Sequence, residues 1–197
     1  MPLVPEVAGF VLVGGQSSRM GRDKALLTNA HGSLAERVAN VVGQACDFNA
    51  LLGDPARYAH LNLPVVADII PGQGPMSGLH AALKSTKAEW ILIVACDLPN
   101  IDAELLKHLI ASTGPGIRCV AADAGQGRSL EPLCAVYHRS TLKEVETALQ
   151  ARSLRMRDLT AQLGAIGIKA DERLIRNINT AEDWQLHLLQ NESQTSQ

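Results

Sequence analysis

The stretch WILIVAC, residues 90–96, constrains the fold of this 197-residue chain more than any other. Seven apolar residues follow one another without a polar break, and the run stops at Asp97. It is too short for an isolated helix and lacks the polar alternation of a strand with one wet face. It predicts a central strand covered on both sides, and therefore helices packed on both faces of a mostly parallel sheet.

The rest of the chain fits that plan. Short apolar runs predict strands over 7–13, 49–52, 64–67, 117–122, 133–137 and 165–169. Helical spacing predicts helices over 33–45, 76–83, 102–112, 140–150, 153–162 and 180–189. Ser33, with Glu36 three residues on, carries a capping-box signature, and Thr180 caps the last helix with Glu182 and Asp183 near its positive end. An exposed turn falls within 120–128. Nothing marks an internal boundary, so residues 1–190 read as one domain and 191–197 as a flexible tail.

Charge excludes several classes of partner. The 18 Lys and Arg nearly balance the 20 Asp and Glu, which leaves no global basic field to gather nucleic acid or a membrane surface. Cys46, Cys96, Cys119 and Cys134 are scattered without a CxxC pair, and they read as reduced core thiols. The N-terminus lacks a signal-peptide pattern, and no stretch nears the roughly 20 apolar residues of a membrane span. These features predict a cytoplasmic protein.

Candidate chemistry lies in the loops at the carboxyl ends of the predicted strands, where open α/β sheets bind ligands. After the first strand comes GGQSSRMGRDK, residues 14–24. It is neither a Walker A loop nor GxGxxG. Gly14 and Gly15 would let the chain reverse tightly, while Arg19 and Lys24 can reach phosphate oxygens, the one as a fork and the other as a point charge. The competing reading is a solvated loop, disfavoured because so many such residues crowd behind a buried strand. Asp97 is either a turn aspartate before Pro99 or a Mg²⁺ ligand, and the phosphate-binding loop favours the second. Asp68 either contacts a base or ribose or simply ends its strand. Gly74 and Gly78 either permit a close approach to a ligand or shape a turn. Arg152, Arg155, Arg157, Lys169, Arg173 and Arg176 are either a solvated face or a site for an anionic second substrate. Cys96 ends the most apolar run and reads as an inert thiol rather than a nucleophile.

Assembled, these motifs resemble a known family. LVGGQSSRMGRDKALL, residues 12–27, is similar to the LxGGxSxRMGxDK signature of nucleotidyltransferases that act on molybdopterin, and every specified position is met. GPMSGL and CDLP resemble the second and third motifs of that group. EPLCAVY resembles the strand before its later helices, and RNINTAEDW the N-x-N-T-P-E-D segment that its guanylyltransferases use near the pterin. The likeness to the molybdenum cofactor guanylyltransferase family runs from about Gly9 to Trp184.

The resemblance implies a Rossmann-like, three-layer α/β/α nucleotidyltransferase fold that joins GMP from Mg·GTP to the terminal phosphate of molybdopterin and releases pyrophosphate. It places Leu12, Val13 and Gly14 against the guanine and nucleotide, Lys24 on phosphates, Asp68 on the nucleoside, Asp97 on Mg²⁺, and Asn177 and Asn179 on the pterin. It leaves room for transient contact with other cofactor-biosynthesis proteins or acceptor apoenzymes. Two departures stand out: Gly53 or Asp54 occupies the place of a base-contacting asparagine of some relatives, and Ala181 replaces the proline after NT. Phosphate-binding residues do not set base preference, so a cytidylyltransferase acting on molybdopterin or another phosphorylated small molecule is the alternative, with NINT favouring guanylyl transfer. A non-catalytic GTP-binding regulatory or adaptor module is the alternative of another class. Retention of both Lys24 and Asp97 argues against it.

Overall fold

Residues 90–96 do form the middle of a sheet. The computed structural model describes residues 6–14, 23–29, 32–125 and 130–195. Its strands are β1 (Val7–Leu12), β2 (Thr28–Asn29), β3 (Gly32–Ser33), β4 (Phe48–Leu52), β5 (Val65–Val66), β6 (Trp90–Ala95), β7 (Cys119–Asp123), β8 (Glu131–His138) and β9 (Ile166–Lys169). The helices are α1 (Leu34–Gly43), α2 (Pro55–Tyr58), α3 (Pro75–Ser85), α4 (Ala103–Ala111), α5 (Leu142–Gln150), α6 (Met156–Gln162) and α7 (Ala181–Thr195). Seven strands pair in the order β5-β4-β1-β6-β8-β7-β9, and β2 and β3 form a separate hairpin. Every residue of β6 is buried.

Strand parity explains the two helical layers, because successive side chains point to opposite faces. On one face Val11, Leu92, Val94, Val120 and Val136 pack with Val38 and Val42 of α1 and Leu105 and Leu109 of α4. On the other, Phe10, Ile91, Ile93, Ala121 and Tyr137 pack with Leu79 and Leu83 of α3, Val145 and Leu149 of α5, and Leu159 of α6. A strand as apolar as β6 can sit only between two such layers.

One edge of this sheet gathers the site. β5, β4, β1 and β6 run parallel, so their carboxyl ends open on the same side. β8 runs antiparallel to β6 and to β7, and so begins at that edge instead of ending there. This reversal places Glu131 beside the loop that carries Asp97.

The local signals read from sequence are present. Ser33 Oγ accepts from the Glu36 N–H, and the Glu36 carboxylate accepts from the Ser33 N–H at 2.8 Å, which closes the capping box. At α7, Asp183 Oδ2 accepts the N–H groups of Asn179 and Thr180 at 2.9 Å, while Thr180 Oγ1 accepts the Asp183 N–H. That helix continues to Thr195, past the expected end at 189. α6 starts at Met156 rather than 153, because the chain leaves α5 through Arg152 in the left-handed region at φ 52°. All four cysteines are free and buried. Among the described residues no helix is long and apolar enough to cross a membrane.

Gly9 sets how closely α1 approaches the sheet. A Cβ there would lie 2.3 Å from Val42 Cγ1 and 3.1 Å from Cys46 Sγ. Val42 is fully buried and stiff about χ1, so it has little room to yield. Gly9→Ala is expected to destabilise the protein by roughly 1–3 kcal/mol through overpacking. A denaturant midpoint shift without a change in slope checks this.

Candidate active site

The β1 ladder continues past its last strand residue and carries the chain into the site. Val13 donates its N–H to Leu52 O at 3.0 Å, Cys96 to Leu12 O at 3.1 Å, and Gly53 to Val66 O at 3.0 Å. Gly14 then turns at φ +84°, a region where a side chain would strain the backbone. Gly74 does the same at φ +62° immediately before α3. Leu12, Val13, Gly14, Tyr58, Asp68 and Gly74 line a cleft of about 800 Å³, within the range of small-molecule sites. At Leu12, Gly14 and Pro75 this cleft adjoins a smaller hollow that reaches Lys24, Asp97 and Asn177.

Lys24 opens a short 3₁₀ turn whose N-cap is Asp23. Asp23 Oδ1 accepts the Ala25 N–H at 3.1 Å, while Oδ2 accepts the Tyr58 hydroxyl at 2.7 Å and lies 3.0 Å from Arg57 Nε. α2 therefore anchors the segment that presents the lysine. Burial, with the Asp23 carboxylate second, holds the Tyr58 phenol well above its ordinary range, so it stays a neutral donor. The sequence reading missed this arrangement. Its signal was present in Asp54-Pro55, since Asp54 is the N-cap and Pro55 the first helical residue of α2. Gly53, just before, leaves space for Val13 and Tyr58: a Cβ would come within 2.9 Å of both.

Lys24 also meets the far end of the chain. Its Nζ donates to Asn179 Oδ1 at 3.0 Å and lies 3.7 Å from Asp97 Oδ2. The Ile178 N–H donates to the Asp97 carbonyl at 2.9 Å, which fixes the 177–179 segment against the loop after β6. Asp97 Oδ1 is buried and, among the described residues, has no hydrogen-bond partner. Burial pushes the Asp97 carboxyl above its ordinary range, although the Lys24 charge pulls the other way. A buried carboxylate oxygen left without a donor fits a cation. Among the described residues no group of three or more His, Cys, Asp or Glu could hold a metal by itself. The donor set therefore suits Mg²⁺, which commonly takes one or two carboxylates and completes its shell with phosphate oxygens and water.

Other predicted residues fall in different places. Asp68 lines the cleft, half-buried, with burial raising its carboxyl and the Ser77 hydroxyl drawing it back. Gly78 lies inside α3, where a Cβ would stand 2.4 Å from Leu12 Cδ1. The close approach it permits is therefore of helix to sheet, beneath the cleft. Gly15 and Arg19 lie outside the described residues. Asn177 lines both the Lys24 hollow and a second cavity of about 460 Å³, whose walls include Glu131, Arg157, Arg176 and Asn179. Arg157 and Arg176, two of the six basic residues from Arg152 onward, thus face a cavity, whereas Arg173 pairs with Asp171 at 2.6 Å.

A mostly parallel sheet whose carboxyl edge gathers a glycine turn, a lysine and a half-buried aspartate around one hollow has the ligand site of an open α/β fold. The chain belongs to the family of MobA-like NTP transferase domains, whose model matches residues 9–166. It is 33% identical over 183 residues to the "Probable molybdenum cofactor guanylyltransferase" of Carboxydothermus hydrogenoformans, covering 89% of this chain and 91% of that protein. It is 30% identical to the molybdenum cofactor guanylyltransferase of Serratia proteamaculans, covering 91% and 94%. Among solved structures, molybdopterin-guanine dinucleotide biosynthesis protein A from Archaeoglobus fulgidus shares the fold at a TM-score of 0.77 and 23% identity, covering 91% of this chain and 95% of that one.

Proposed function

We propose that this protein transfers GMP from Mg·GTP to the terminal phosphate of molybdopterin, releasing pyrophosphate. The observation that carries this reading is the junction at Lys24. One ammonium group reaches the strand-end aspartate of the hollow that adjoins the nucleotide cleft and the asparagine of the second cavity at once. Two substrates held in the two spaces would meet there.

In this reading the nucleoside lies in the larger cleft beside Leu12, Val13, Gly14 and Asp68, with the open backbone at Gly74 near its sugar-phosphate. Lys24 neutralises phosphate oxygens, and Arg19 is assigned the same task. Asp97 would hold Mg²⁺, which when bound supplies charge neutralisation of the polyphosphate. Asn177 and Asn179 orient the acceptor. An oxygen of the acceptor phosphate forms the new bond to the α-phosphorus. The bond from that phosphorus to the bridging oxygen of the leaving group breaks, and its electron pair departs with pyrophosphate. The attacking oxygen is already anionic, so no protein nucleophile or base is needed. The residues act by alignment and by stabilising charge. Burial pushes the Cys96 thiol upward, in keeping with an inert group.

The test is pyrophosphate release measured with GTP, CTP or ATP, with and without molybdopterin. Release with GTP only when molybdopterin is present is expected. Equal or faster release with CTP would transfer the reading to a cytidylyltransferase, and tight GTP binding without product would make the protein a sensor.

A further inference from the structure

The second cavity contains an acid among bases. Arg157 and Arg176 suit an anionic acceptor, yet Glu131 shares their wall. The backbone is distorted to put it there. Along the β7·β8 pairing, Ala121 faces Ala135 but the next residue, Ala122, faces Glu131, so the ladder jumps at the mouth of β8. Pro132 lies within that irregularity, and its carbonyl accepts the buried Tyr137 hydroxyl at 2.7 Å. Glu131 Oε1 accepts the Leu133 N–H at 3.2 Å, which fixes the carboxylate, and among the described residues no hydrogen bond engages Oε2. Irregularities of this kind next to active sites commonly re-aim one side chain.

The Leu133 N–H serves only one oxygen of this half-buried carboxylate, and a further donor would lower the cost of its burial. A terminal phosphate, mostly dianionic near pH 7, cannot be that donor dependably and is repelled by the carboxylate. The group in the proposed acceptor that can is its 2-amino-4-oxo-pyrimidine edge, where the amino group and the neighbouring ring N–H project in parallel toward a carboxylate. We infer that Glu131 is a specificity-determining residue that reads the N–H donor edge of the acceptor's pterin, while Asn177 and Asn179 hold the portion nearer the transferred phosphate. This rests on the reading of the second cavity as the acceptor site.

Pterins fluoresce, so direct titration tests the inference. The probes are a 2-amino-4-oxo-pteridine and its 2,4-dioxo counterpart, which lacks the amino donor, each titrated against the full chain in the presence of Mg·GTP. The wild-type protein is expected to favour the 2-amino compound by about tenfold or more, the worth of one charge-assisted hydrogen bond. Glu131→Gln is expected to erase that preference, and to raise KM for molybdopterin at least about tenfold with a smaller change in kcat, while thermal stabilisation by Mg·GTP persists. A Glu131→Gln protein that keeps the preference overturns the inference. If Glu131→Gln does not fold, Glu131→Asp replaces it; a weakened preference supports the inference and an unchanged one overturns it. A wild-type protein that binds Mg·GTP but neither pteridine would overturn the acceptor reading itself. Equal binding of both pteridines by the wild type would overturn only the role of Glu131.

Discussion

Asp97→Asn is expected to lower GMP transfer by roughly 10³-fold or more while leaving the fold at least as stable as the wild type. The first part follows from the proposed role. A metal ion at a phosphoryl-transfer site supplies several kcal/mol of charge stabilisation, and about 1.4 kcal/mol corresponds to a factor of ten in rate. The second part follows from the environment of the side chain. Burial outweighs the attraction of Lys24 and raises the Asp97 carboxyl above its ordinary range. A carboxyl whose native pKa exceeds its unfolded value binds its proton more tightly when folded, so stability falls as pH rises through that interval. At neutral pH the charged aspartate therefore burdens the fold, and an uncharged isostere relieves it. Thermal melts check this: an unchanged or higher Tm for Asp97→Asn is expected, and a markedly lower one would show that the carboxylate has a structural task. Stabilisation by GTP in Mg²⁺ should separate the two proteins. At about 100 times its dissociation constant a ligand adds roughly 2.7 kcal/mol, or about 5–10 °C for a chain of this size, and the variant should lose most of it.

Lys24→Ala is expected to lower kcat/KM by about 10²–10³-fold, the range found when one preorganised donor to a developing charge is removed. Its effect should reach both substrates, because Nζ contacts Asn179 as well as Asp97. Loss of the ammonium frees the Asn179 side chain and leaves Asp97 without its cation. KM for GTP and KM for molybdopterin should therefore both rise. A change confined to GTP would mean that the Lys24–Asn179 contact plays no part in joining the two spaces. Glu131→Gln provides the contrast, since its effect is confined to the acceptor.

These expectations depend on contacts of very different legibility. The buried centre of the sheet could be read from WILIVAC, because a continuous apolar run bounded by Asp97 has few other uses in a domain of this size. The caps at Ser33 and Thr180 were legible because each is written within four residues. The reversed direction of β8 was not, since parallel and antiparallel strands buried on both faces share the same apolar pattern. Nor was the meeting of Lys24 with Asn179, 155 residues away, because nothing local encodes a tertiary contact. The motif resemblance named both residues but assigned them to separate substrates. Gly78 shows a further limit. A glycine that lets a helix approach a strand and one that admits a ligand look alike in sequence, and only the place of Gly78 inside α3, where an added Cβ would stand 2.4 Å from Leu12 Cδ1, tells them apart. Glu131 entered the sequence reading only as the first residue of the EPLCAVY strand, because its place in the cavity comes from an irregular ladder rather than from a pattern of residue types.

The shared position of Lys24, Asp97 and Asn179 is most directly tested by a crystal structure with Mg²⁺ and a non-hydrolysable GTP analogue. The account predicts the polyphosphate between the Lys24 ammonium and the Asp97 carboxylate, with the metal on Asp97, the nucleoside beside Gly14 and Asp68, and the Glu131 cavity open for the acceptor. A triphosphate seated instead on Arg157 and Arg176, with Lys24 still bound to Asn179, would contradict it.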